Sequence, residues 1–167
     1  DTREATHNVD RSGLRALNAD SEPNHLAKFT TLAQEFRLAP GASELRVPLI
    51  WSDGAGITVA KTFVFRRGRY DVELAYQVDN RSEAEWSGAS YVQLVRHIVK
   101  QKRSMFDVES YAYRGPAVFD GSSYRKLDIS DDDDALYAQG VSDGWIASLQ
   151  HHFVSAAVPP KGEEYHF

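Results

Sequence analysis

Cysteine is absent from all 167 residues, which excludes thiolate metal sites, disulfide scaffolding and cysteine nucleophiles together. A basic excess is absent as well. Nineteen Lys and Arg against 24 Asp and Glu leave a net charge of −5, whereas nucleic-acid binding requires a basic face. No stretch approaches the roughly 20 apolar residues of a membrane-spanning helix, and the opening DTREATHNVD lacks a signal-peptide pattern. As given, the chain reads as soluble. It has no initiator methionine and ends on EEYHF shortly after Pro159-Pro160, so the expectation is a piece of something longer. A hydrophobic content of 42% with 26% charged residues is that of a globular protein rather than a disordered one. At this length the expectation is one domain, residues 1–167, burying roughly two-thirds of its unfolded surface.

The strongest pattern lies in Glu44–Asn80, where three extended runs are separated by two glycine-bearing turns. Tyr70, Val72, Leu74, Tyr76 and Val78 recur at every second position with mostly polar residues between them, as a strand with one buried face requires. Leu45, Val47, Leu49 and Trp51 repeat this period. Between these runs, Ile57 to Phe65 is apolar or small on both faces, with Lys61 the one charge inside it. That composition predicts the central strand of an antiparallel meander. Pro48 cannot donate to a ladder, so its strand is predicted at an edge or with a bulge there.

Elsewhere the signals are shorter. SGLRALNAD and SEPNHLAKF suit either helical turns, capped by Ser21 or Asn24, or a loop with brief strands. Phe29 to Leu38 reads as a strand ahead of the turn Ala39-Pro40-Gly41-Ala42. Ala89 to Val99 reads as a fourth strand of the chain, and the KQKR cluster at Lys100 to Arg103 as a solvated turn. Met105 to Phe119 is interrupted by Arg114-Gly115-Pro116, Tyr124 to Ile129 forms another short strand, and Gly144 to Val154 returns to the interior. The fold class is therefore all-β and mainly antiparallel, with short helical turns in loops.

Little of this pattern carries chemistry. The run Asp131 to Asp134 lacks the spaced carboxylates and distal Glu of a calcium loop and reads as a solvated loop. His151 and His152 are adjacent, so on a strand they point to opposite faces and cannot chelate one metal. The serines next to glycine at Ser87 and Ser122 sit in no nucleophile elbow. A carboxylate pair for glycoside chemistry depends on a separation that spacing does not fix. Trp51, Trp86 and Trp145 suit a sugar-stacking platform or, more commonly in β-rich proteins, the core. No catalytic residue, metal site or cofactor is assigned.

Three blocks carry a resemblance: K-T-F-V-F-x-R-G-x-Y at Lys61 to Tyr70, Y-R-G-P-A at Tyr113 to Ala117, and Gly144-Trp145-Ile146-Ala147 followed by Leu149 to Phe153. In this order, over most of the chain, they resemble the large periplasmic domain of the bacterial YidC membrane protein insertases. The resemblance implies a β-supersandwich similar to galactose mutarotases, on the periplasmic side of the inner membrane. It also implies further strands outside this segment and membrane helices that house the insertase activity. The implied role is accessory: supporting insertion and folding of inner-membrane proteins, with nascent membrane proteins and the SecD–SecF complex as partners. The SecD–SecF docking region corresponds roughly to Val108 through Pro159. Within it Tyr111, Tyr113, Arg114, Tyr124 and Trp145 are the candidate contacts, because aromatic residues and Arg dominate interface hot spots.

Mutarotase chemistry does not follow from the fold, since the histidines match no general acid or base position, and no enzymatic activity is expected. The alternatives are a carbohydrate- or peptide-binding β-sandwich module and, in a third class, a sugar-active enzyme with a His and a carboxylate converging in a cleft.

Overall fold

A computed structural model describes residues 8–96, 113–150 and 152–167. The chain is all-β and mainly antiparallel, with one short helix among the described residues. It forms two compact units, residues 12–91 and residues 92–167 with the segment ending at Arg11. Strands β1 (Asn8–Ala16) and β5 (Gly88–Arg96) pair with each other.

In the unit of residues 12–91, β2 (Glu44–Ser52), β3 (Ile57–Arg66) and β4 (Val72–Asn80) form the expected meander with β3 in the centre. The register pairs Trp51 with Val59, Leu49 with Lys61 and Val47 with Phe63, and Tyr76 lies opposite Lys61 on the other side. One face thus collects the period-2 apolar residues, and Leu14, Trp51, Ile57 and Val59 bury together with Ala27, Phe29, Tyr76 and Trp86 packed around them. The β2–β3 turn is fixed by Asp53, whose Oδ1 accepts from the Ala55 and Ile57 N–H groups. Gly56 follows at φ 118°, where a Cβ would stand 2.8 Å from the Ser82 nitrogen, so only glycine fits this crossing.

Of the two readings of SGLRALNAD the brief strand holds, running as far as Ala16. Two expectations change here. Tyr70 lies outside the ladder: the β3–β4 pairing ends at Phe65 and Val72, Arg69 N–H closes the turn onto the Arg66 carbonyl, and the Tyr70 side chain is fully exposed. Phe29 to Leu38 is not a strand but a single bridge, Thr30 to Ile50, with both backbone bonds at 2.8 Å. The next hydrogen-bonded pair of that ladder would need a donor at residue 48, and Pro48 has none. The proline does lie on an edge strand, and it stops further pairing along that edge.

In the other unit, β6 (Gly115–Phe119), β7 (Tyr124–Lys126), β9 (Trp145–Leu149) and β10 (Val154–Ala157) form an antiparallel sheet in the order β10-β9-β6-β7. A separate ladder pairs β8 (Gly140–Ser142) with β11 (Glu164–His166). Gly144 to Val154 returns to the interior only in part: Ala147 and Ser148 are buried, but Gln150 N–H donates to the Phe153 carbonyl, closing a hairpin turn that holds His152, and Phe153 and Val154 are exposed. The strand expected to Ile129 ends at Lys126. The expected break at Gly115-Pro116 instead opens interior strand β6.

The acidic run is also ordered differently from the expected loop. Asp132–Ala135 form helix α1, capped by Asp131, whose side chain accepts from the Asp133 N–H. Carboxylates at a helix start satisfy free N–H groups. The KQKR cluster and Met105 to Ala112 lie outside the described residues, as do residues 97–99 of the strand expected from Ala89.

Candidate interaction face

Pro116 in an interior strand leaves one ladder bond unmade, and its neighbours supply the substitute. Leu127 N–H donates to the Pro116 carbonyl at 2.9 Å, but the reciprocal bond has no donor. The Tyr113 hydroxyl lies 2.8 Å from the Leu127 carbonyl and within hydrogen-bond reach of the Pro116 carbonyl. It therefore replaces the missing N–H. Gly115 makes this possible, because a Cβ there would lie 2.7 Å from the Tyr113 hydroxyl. Burial, with the nearby Tyr124, Asp128 and Asp134, raises the Tyr113 pKa, and the hydroxyl stays a donor.

One face of the same sheet carries an aromatic row. Register places Trp145 beside Phe119 and Phe119 beside Tyr124. The Trp145 ring stacks 5.9 Å from Phe119 and sits 5.9 Å from Tyr124 at a tilted angle, geometries favoured by ring quadrupoles. Tyr124 is 48% exposed, and Trp145 and Phe119 are half-buried. Two residues on from Tyr124, Lys126 shares its face and holds its Nζ 5.0 Å from the centre of the Tyr113 ring. The result is an aromatic surface with one cationic group, held by rigid strands.

Of the five candidate contacts, Tyr124 and Trp145 are in direct contact. Tyr113 stands beside Lys126 with its hydroxyl committed to the backbone. Arg114 is half-buried and near Arg96, whose pKa is lowered by burial first and by Arg114 second. Tyr111 lies outside the described residues. Phe119 and Lys126 belong to this face but were not singled out in the sequence, because only the β6–β7–β9 register brings them to Trp145 and Tyr124.

The other chemistry-bearing residues are dispersed. Among the described residues no cluster of three His, Asp or Glu could hold a metal ion. His25 Nδ1 is 2.7 Å from the Tyr91 hydroxyl, and His166 is exposed, 3.8 Å from Glu164. A groove of about 580 Å³ in the unit of residues 12–91 includes Arg15, Glu22 and Asn24. Glu22 already accepts from Asn24 and the Ala16 N–H and pairs with Arg15 at 3.1 Å. No described helix is long and apolar enough to cross a membrane.

Comparison with known families decides the affiliation. The model of the YidC periplasmic domain matches residues 1–167. The chain belongs to that family. Among relatives named membrane protein insertase YidC, that of Methylococcus capsulatus is 39% identical over 151 residues, covering 89% of this chain and 27% of the relative. The protein from Thioalkalivibrio sulfidiphilus is 39% identical, covering 82% and 24%, and that from Azotobacter vinelandii 36% identical, covering 92% and 28%. The chain thus spans about a quarter of the length of these YidC relatives, and it is a periplasmic segment of that family. In this YidC periplasmic domain, the Y-R-G-P-A block is the clasp that completes the β6–β7 ladder. The K-T-F-V-F block is the central strand of the meander.

Proposed function

We propose that this segment acts as an accessory periplasmic domain of a membrane protein insertase, forming part of one domain of a longer chain. On this reading it supports insertion and folding of inner-membrane proteins by docking the SecD–SecF complex, and it meets nascent membrane proteins. The role needs no cofactor and no enzymatic step. The observation that carries the docking reading is the Trp145–Phe119–Tyr124 row beside Lys126. Aromatic anchors on a sheet have the composition of interface hot spots, and the exposed Lys126 gives them the polar rim such patches carry.

The test uses the full-length insertase that contains this segment. Tyr124→Ala combined with Lys126→Ala is expected to reduce co-purification with SecD–SecF at least tenfold while the membrane-inserted protein accumulates normally. Both residues are exposed, so the fold should tolerate the change. Undiminished co-purification of the accumulated double variant overturns the assignment of this face.

A further inference from the structure

In the unit of residues 92–167, a cavity of about 380 Å³ lies against the sheet at Val118, Ile146 and Ser148, with Leu94, Ile129 and Phe167 among its other walls. These walls are mainly apolar, as in pockets that hold small hydrophobic ligands. Arg96 is the cation in the described lining. Its Nη1 donates to the Leu149 carbonyl, while its Nε is buried without a hydrogen-bond partner. A buried charged donor without a partner is costly, and nearby Arg114 adds positive potential rather than relieving it. The carboxylate in the lining, Asp134, does not compete for an anion's place. Its oxygens accept from Arg125 Nη2 at 2.6 Å and from the Asp128 N–H at 2.8 Å.

We propose that this cavity binds a single-chain fatty acid, with the carboxylate at the Arg96 guanidinium in the lining and the alkyl chain along Val118 and Ile146. The planar guanidinium edge matches a carboxylate in geometry and charge, and the aliphatic wall supplies the apolar contact. Neither feature belongs to the aromatic face, so the two sites are independent.

Calorimetry of the 167-residue chain with submicellar octanoate, decanoate and decanol tests this. Decanoate is expected to bind, more tightly than octanoate by roughly fourfold per added methylene, and at least tenfold more tightly than decanol. Arg96→Gln should weaken decanoate at least tenfold. Ala135→Trp, at an exposed position lining the cavity, should abolish binding by filling it. Failure of the parent to bind decanoate, equal affinity for decanoate and decanol, or unchanged binding by Ala135→Trp overturns the proposal. Decanoyl-lysophosphatidylglycerol bound through Arg96, with no decanoate binding, would replace the carboxylate by a phosphate head and overturn the fatty-acid assignment. If Arg96→Gln does not fold by circular dichroism, the decanoate–decanol comparison and Ala135→Trp still decide.

Discussion

Lys61 sits in the core-facing row of β3, 8% exposed, with its Nζ donating to the Ser12 carbonyl at 2.8 Å. The rings of Phe29, Phe63 and Tyr76 surround it at 5.6, 5.3 and 5.9 Å from their centres. Ring faces and one carbonyl stabilise the cation, while burial lowers its pKa. A lysine whose folded pKa is depressed binds fewer protons folded than unfolded between the two values. Stability therefore rises with pH across that window, which ends near the unfolded value of about 10.4. Urea unfolding at pH 7 and pH 9.5 should show the parent gaining stability relative to Lys61→Met. Parallel pH profiles for the two proteins would refute the linkage. Tyrosines with raised pKa oppose this only above about pH 10, outside the comparison.

Tyr113 gives a second test at this scale. Tyr113→Phe keeps the ring over Gly115 and removes only the donor to the Leu127 carbonyl. The expected loss is about 1 kcal/mol, measured by chemical denaturation. An unchanged midpoint would show that water replaces the hydroxyl without cost.

At the scale of elements, β6 is an interior strand that tolerates a proline because residues on either side of it cooperate. Gly115→Ala drives a Cβ to 2.7 Å from the Tyr113 hydroxyl, so the tyrosine must leave and the ladder end loses its clasp. A destabilisation of about 1–3 kcal/mol is expected, exceeding that of Tyr113→Phe. In a Tyr113→Ala background the same substitution should cost far less, and a double-mutant cycle measures that coupling. Additive costs would mean that Gly115 and Tyr113 act separately. β2 shows the same residue type in another setting: Pro48 faces the outer edge of its sheet and ends pairing after one bridge, which limits edge-to-edge association.

At the scale of the whole molecule, acidity governs the pH response. Several surface carboxylates have lowered pKa values: Asp71 through Arg69, Asp120 through the Ser123 and Ser122 N–H groups, Asp128 through Ser130, and Glu22 through Asn24. Their folded values lie below the unfolded ones, so their stabilisation is complete above about pH 4 and is lost as pH falls through the folded values. Denaturant midpoints should fall between pH 5 and pH 2.5. An acid-independent midpoint would contradict the assigned hydrogen bonds. With a pI near 5.7, solubility should be lowest close to that pH, where net charge vanishes.

The period-2 runs of Glu44–Asn80 were enough to place three strands and the central position of β3, because alternation and two-faced apolarity are local properties of a sequence. The family could be read from the three blocks as well. Lys61 stood out in the sequence only as a charge within an apolar run; its aromatic cage needed the register that sets it beside Tyr76. Tertiary structure alone decided that Pro116 lies inside a sheet, since the substitute donor is a side chain three residues upstream acting on the Leu127 carbonyl just past the end of β7. It likewise decided that Phe119, Tyr124 and Trp145 form one row and that Arg96 is among the residues lining a cavity. Strand formation answers to side-chain period along the chain, whereas a binding face depends on which strands become neighbours and at what register. Those are non-local choices that the pattern of any one segment does not contain.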